Sequence, residues 1–259
     1  MLSTKGIHYS IGKKEILKDI SINFLPGEFN MILGPNGSGK STFLKICSGE
    51  IKPTGGTIFI DDKQLSSIKK EDQAKIRAVM TQQPELSFSL SVEEVVMMGR
   101  YPHFDFNPSK NDEIICSKAI EKMDIQNLKG RNYLTLSGGE KQRVQFARVL
   151  AQIWEVPKTG NRYLFLDEPL ANLDIKYQQS FLQLAKELLQ FKTVLVAVMH
   201  DVNLAIQYAD KLFFLKTGEL VACGSPSKIL SEKLIKHVFD VDTKIITNPV
   251  DGTFLMLYN

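Results

Sequence analysis

The stretch Gly34-Pro35-Asn36-Gly37-Ser38-Gly39-Lys40-Ser41-Thr42 constrains this chain more than any other. It fits G-x-x-x-x-G-K-[ST], the phosphate-binding loop pattern. The run before it, Phe29-Asn30-Met31-Ile32-Leu33, reads as a buried strand, and Thr42-Phe43-Leu44-Lys45-Ile46-Cys47 reads as the start of a helix. Strand, loop and helix are the context the pattern needs. Glycines at 34, 37 and 39 let the backbone curl until successive N–H groups point inward. The helix adds the positive end of its dipole, so triphosphate oxygens meet donors and a favourable field together. Lys40 can reach the β- and γ-phosphates, and the Ser41 hydroxyl can ligate Mg²⁺.

Composition narrows the partners. With 43% hydrophobic and 24% charged residues, the 259-residue chain reads as an ordinary soluble globular protein of one large or two small domains. Thirty-two basic residues against twenty-nine acidic ones leave +3, too even a balance to argue for nucleic acid. Cys47, Cys116 and Cys223 lie far apart with no C-x-x-C, as expected of free thiols in a reducing compartment. No signal peptide is expected. Apolar runs such as 194–199 fall far short of the ~18 residues of a membrane span, so a membrane role is expected through partners.

Alternation at Ile7–Ile11 and Ile20–Phe24, with Gly12-Lys13-Lys14 between them, predicts antiparallel strands ahead of the loop. Tyr9 there can stack on a nucleotide base or simply sit half-buried in its strand. Ala78-Val79-Met80-Thr81-Gln82 reads as a short strand. That places Gln82 or its neighbour Gln83 at a strand's carboxyl end, where ligands bind in open α/β sheets. Ser91-Val92-Glu93-Glu94 predicts a helix N-terminus. The aromatic stretch Tyr101–Pro108 reads as a docking loop, with His103 an ordinary loop residue.

Leu136-Ser137-Gly138-Gly139-Glu140 opens a further helix whose apolar positions Val144, Ala147, Leu150 and Ala151 recur at helical spacing. A hydroxyl, bare glycine N–H groups and a helix dipole make a second anion site, which suggests a nucleotide gripped from two sides. Arg162–Pro169 is an apolar strand ending in Asp167 and Glu168. Asp167 suits a Mg²⁺ ligand, and Glu168 suits a general base for the water that attacks the γ-phosphate. The turn 171–174 leads into a helix over 175–190. The buried strand 194–199 ends at His200, whose imidazole can hydrogen-bond the γ-phosphate.

Taken in order, these pieces resemble an ABC-transporter ATP-binding subunit over nearly the whole chain. Tyr9 matches the A-loop, Gly34–Thr42 Walker A, Gln82 the Q-loop, Leu136–Glu140 the signature, Leu164–Glu168 Walker B, Asn172–Asp174 the D-loop, and His200 the switch histidine. The resemblance selects Gln82 over Gln83. Leu170 departs from it, since threonine is usual there. It implies an α/β P-loop NTPase cassette: a RecA-like core with an antiparallel β subdomain over 1–83 and 158–259, and an inserted helical subdomain over 84–157. It implies a head-to-tail homodimer in which Ser137, Gly138, Gly139, Glu140 and Asp174 of one copy face ATP held by residues 34–42 of the other. Mg²⁺ would be held by Ser41, Gln82 and Asp167. Two transmembrane permease subunits, and through them a periplasmic or extracellular substrate-binding protein, are the implied partners at the cytoplasmic face of the inner membrane, with no nucleic acid.

Within importers for iron–siderophores, cobalamin and haem, residues 82–88, 91–100 and 147–154 and the loop 155–161 resemble the haemin group. Siderophore or cobalamin import is the alternative. A non-transport ABC ATPase fits less well, because the chain carries neither a second cassette nor a long coiled coil. A kinase or GTPase gives Leu136–Glu140 no job. Ser137→Arg is expected to abolish hydrolysis while leaving ATP binding by a single chain nearly intact; equilibrium binding and steady-state ATPase assays check both halves.

Overall fold

In the computed structural model, residues 1–81, 88–171, 173–250 and 252–258 are described. The chain opens with β1 (Leu2–Ile11), β2 (Lys14–Phe24), β3 (Phe29–Leu33) and α1 (Lys40–Cys47). There follow β4 (Gly55–Ile60), β5 (Lys63–Gln64), α2 (Lys70–Ile76) and β6 (Arg77–Met80). Three helices, α3 (Val92–Met97), α4 (Lys110–Lys122) and α5 (Gly138–Gln152), precede β7 (Arg162–Asp167). Next come α6 (Ile175–Leu189), β8 (Thr193–Val198), α7 (Val202–Tyr208), β9 (Lys211–Lys216) and β10 (Glu219–Gly224). The chain finishes with α8 (Pro226–Ile229), α9 (Glu232–Phe239), β11 (Thr243–Thr247) and β12 (Phe254–Tyr258).

The main sheet has the order β10-β9-β3-β8-β7-β6 and is parallel except where β10 returns along β9. Its central strands β3, β7 and β8 are buried at every residue, as expected of a sheet covered on both faces. The alternation of side chains splits the core in two. Leu164 and Leu166 of β7 pack with Val144 and Ala147 of α5 and Phe181 and Leu182 of α6. Tyr163 and Phe165 pack with Phe43 and Leu44 of α1 and with Ile7 and Leu17 of the second, antiparallel sheet β2-β1-β4-β5. The fold is thus a mixed α/β cassette with a parallel-rich core, an antiparallel sheet, and helices inserted between β6 and β7.

The opening strands run longer than their alternation predicts. Polar Thr4 interrupts the pattern, yet it is buried: its hydroxyl donates to Ile20 O at 3.3 Å and accepts from Ile22 N–H at 2.9 Å. Within the aromatic stretch, a 3₁₀ turn spans Met98–His103, and His103 is half-buried with its ring bonded to Gln152 O at 2.8 Å. Three capping boxes start the inserted helices: Ser91 with Glu94, Ser109 with Asp112, and Ser137 with Glu140.

Asp112 also serves a second purpose. Its other oxygen accepts from Arg100 Nε at 2.8 Å, and Arg100, 1% exposed, further donates to Ala151 O and to Glu155. Burial works against the Asp112 charge, but the Ser109 hydroxyl and the Arg100 guanidinium outweigh it and hold the carboxyl below its usual range. Arg100→Met should cost about 3 kcal/mol, because it leaves a buried carboxylate without its partner. Thermal denaturation of that variant checks the loss. The pair's contribution is fully present above about pH 4 and is lost as pH falls through the lowered folded value of Asp112.

Candidate functional site

The ends of three adjacent strands define the site. β3 runs into residues 34–39 and α1; β7 ends at Asp167 and Glu168; β8 leads to His200. The glycines are dictated by close approach. A β-carbon on Gly34 would sit 2.1 Å from Leu215 O, and one on Gly39 would sit 2.6 Å from Leu17 Cδ2; both residues have positive φ. From the far side, Gly218 N–H donates to Ser38 O at 3.2 Å and Lys18 N–H donates to Gly218 O at 2.8 Å, so the β9–β10 turn braces the loop.

Lys40 is buried, and its ammonium donates to Gly34 O at 2.8 Å and Pro35 O at 3.0 Å. Burial lowers its pKa, opposed by the charges of Glu168 and Asp167. The Ser41 hydroxyl donates to Asp167 Oδ1 at 2.9 Å, joining α1 to β7. Burial raises the Asp167 carboxyl above its ordinary value. The Ser41 hydroxyl, Lys45 and Lys40 work against that rise, and the neighbouring Glu168 charge adds to it.

Glu168 adopts φ 52°, a strained value for a residue with a side chain. Its backbone is fixed from several directions. Glu168 N–H donates to Val198 O, Ala171 N–H donates to Glu168 O, and Gln142 of α5 donates to the carbonyls of Glu168 and Pro169 at 3.4 and 3.0 Å. The kink turns the carboxylate to His200, with His200 Nε2 2.5 Å from Glu168 Oε1. Ser41–Asp167 and Glu168–His200 are thus two bonded pairs joined at the 167–168 peptide, with the Lys40 ammonium close enough to feel both carboxylates, and the five residues form one group.

Tyr9 is half-buried on β1 and pairs with Leu17, the residue that packs against Gly39, so it lies on the strand next to the loop. Ser137 and Gly138 are exposed at the start of α5. The Ser137 hydroxyl accepts from Glu140 N–H at 3.3 Å, while Glu140, also paired with Arg131, accepts from Ser137 N–H at 2.8 Å. The Ser137 N–H is thus occupied within the chain. Exposed Asp174 caps α6, accepting from Tyr177 N–H at 3.0 Å. Among the described residues, the side-chain hydrogen bonds of Ser137 and Glu140 stay with each other and Arg131. Gln82 and Asn172 lie outside the described residues.

Sequence reasoning missed Gln142 and Lys45. Gln142, two residues past Glu140, is 8% exposed among the apolar positions of α5. A polar residue on an otherwise apolar helical face was the signal that could have found it. Lys45 is one of several surface-type lysines in sequence, and only the fold brings its charge near Asp167.

Asp167→Asn removes a buried negative charge while keeping an acceptor for Ser41. The nucleotide-free variant should be more stable at pH 8 by on the order of 1 kcal/mol, or roughly 2–4 °C. Because the folded pKa of Asp167 is raised, the wild type loses stability as pH rises through it. The gap should therefore close on acidification, and melting curves across pH check it.

Residues 17–171 match the ABC transporter family. The chain is similar to the hemin import ATP-binding protein of Gloeobacter violaceus, at 42% identity over 99% of this chain and 94% of that one. It is equally similar, at 42% identity, to the protein of the same name from Bordetella avium, over 99% and 98% of the two chains. Among solved structures it resembles a dimeric ATP-binding cassette in a post-hydrolysis state with ADP and Pi, at TM-score 0.74 and 29% identity over 87% of this chain and 99% of that one. The fold is also that of a chain from an inward-facing ABC transporter, at TM-score 0.81 and 23% identity, covering 100% and 96%. With the family match over residues 17–171 and relatives 42% identical over nearly the whole chain, the chain belongs to the ABC transporter family of ATP-binding cassettes.

Proposed function

We propose that this chain is the ATP-hydrolysing subunit of an importer that takes hemin through a membrane permease. The connected group at the ends of β3, β7 and β8 carries the hydrolytic reading. The relatives named for hemin import, matched over nearly their full length, support the cargo. No described helix is long and apolar enough to cross a membrane, so the crossing itself falls to permease subunits, with a substrate-binding protein delivering cargo to them.

The chain's own residues supply the following roles. Backbone N–H groups of residues 36–42 and the Lys40 ammonium hold the β- and γ-phosphates. Tyr9 lies against the base. The Ser41 hydroxyl and Asp167 carboxylate, 2.9 Å apart, are hard oxygen donors that fit Mg²⁺, with Gln82 as a third candidate. When bound, Mg²⁺ neutralises charge on the phosphates. Glu168 takes the proton of the attacking water. His200 orients Glu168 through its 2.5 Å bond and can donate to the γ-phosphate.

Hydrolysis needs a second copy, because the exposed signature end of α5, with Ser137, Gly138, Gly139 and Glu140, and the Asp174 turn are read as facing the partner's nucleotide. The helical insertion carries the closure of the two copies to the permease. Glu168→Gln should lower kcat by about 10²–10⁴-fold and trap an ATP-dependent dimer on size-exclusion chromatography; brisk turnover by that variant would refute the general-base role. Uptake by the permease complex reconstituted in vesicles, with hemin, a ferric siderophore and cobalamin compared, tests the cargo. Hemin should be the substrate whose accumulation depends on ATP and on Glu168.

A further inference from the structure

Arg143 lies in α5, six residues after Ser137, and helical rise places it about 9 Å along the axis from the signature turn. It is 9% exposed, yet no carboxylate receives its guanidinium among the described residues. The guanidinium carbon lies 3.9 Å from the centre of the Tyr177 ring, Nη1 donates to Asp124 O at 2.9 Å, and Nε is buried with no hydrogen-bond partner among the described residues. Tyr177 is the residue of α6 whose backbone N–H is held by Asp174. Asp124, at φ 52°, forms the turn that ends the α4 segment of the helical insertion.

A chain of direct contacts thus runs from α5, through the Arg143 plane and the Tyr177 ring, to the Asp174 cap, with a branch to Asp124 in the turn after α4. These contacts border a cavity of about 150 Å³, also lined by Met80 and Leu173. Met80 ends β6 just ahead of Gln82, and Leu173 adjoins Asp174. The cavity marks where α5, the end of β6 and the start of α6 come together.

We propose that Arg143 is a positioning residue for ATP hydrolysis: stacked on Tyr177, it fixes the Asp174 end of α6 relative to the Ser137 end of α5. This rests on the divided-site reading given above. The stack depends on a flat guanidinium over a flat ring. An ammonium is a compact, strongly hydrated charge that stacks less well, and an aliphatic side chain gives no π-face. The phenolic hydroxyl of Tyr177 plays no part in it.

The test compares Arg143→Lys, Tyr177→Leu, Tyr177→Phe and the double variant Arg143→Lys/Tyr177→Leu. Measurements are kcat, KM and the Hill coefficient for ATP, nucleotide affinity of the isolated chain, and Tm. Arg143→Lys and Tyr177→Leu should each lower kcat about tenfold and move the Hill coefficient towards 1, with single-chain ATP affinity unchanged. Tyr177→Phe should behave as wild type. The double variant should be no worse than either single, because both remove the same contact. Multiplying losses in the double variant, wild-type kcat in both singles, or a loss of kcat that tracks Tm alone would overturn the proposal. Should Arg143→Lys fail to fold, the Tyr177 pair decides the matter by itself, since Tyr177 is half-exposed. A wild-type chain that hydrolyses ATP as a strict monomer, or a fully active Ser137→Arg control, would instead sink the divided-site reading, so the two failures are told apart.

Discussion

The bond from the Ser41 hydroxyl to the Asp167 carboxylate spans 126 residues of sequence, and the site depends on it. It exists because β8 lies between β3 and β7, so the helix that follows β3 and the end of β7 meet over β8. The parallel sheet sets that spacing, and complete burial of the three central strands keeps it rigid. The interaction is chemical as well as structural: a hydroxyl and a carboxylate in contact inside the protein are hard oxygen donors, the type that divalent cations such as Mg²⁺ take.

Charge is handled unevenly around that bond. The Glu168 charge acts on both Lys40 and Asp167, which also act on each other, and burial opposes the charged forms of Lys40 and Asp167. A polyanionic nucleotide and its cation would relieve both penalties, so stability and ligand binding share the same groups. Glu168 adds backbone strain, stored at φ 52° and restrained by the Val198 carbonyl and the Gln142 amide. The strain is what carries the carboxylate round to His200 instead of letting it continue along β7.

Farther out, the structure ties the nucleotide core to the helical insertion by polar contacts rather than by apolar packing alone. Gln142 holds the carbonyls of Glu168 and Pro169 and Arg143 stacks on Tyr177 of α6, while Arg100 works inside the insertion, joining α4, α5 and the loop after α5. Directional contacts of this kind have discrete made and unmade states. A close-packed apolar seam, by contrast, resists sliding.

The local chemistry of the site was legible from sequence wherever a backbone demand forces a residue type. Gly34 and Gly39 must lack a β-carbon, the capping boxes need serine and an acid three residues apart, and an apolar strand ending in two carboxylates has few other readings. The alternation at Tyr9 allowed two placements, and the family resemblance rather than periodicity chose between them. Three things were settled by tertiary structure alone: the strand order that brings Ser41 to Asp167, the φ of Glu168 that brings it to His200, and the partners of Arg100, Gln142 and Arg143. These are contacts across 12 to 126 positions. Sequence periodicity records which face of an element is buried, but not which distant element covers it, and that choice is made by the packing of the whole sheet.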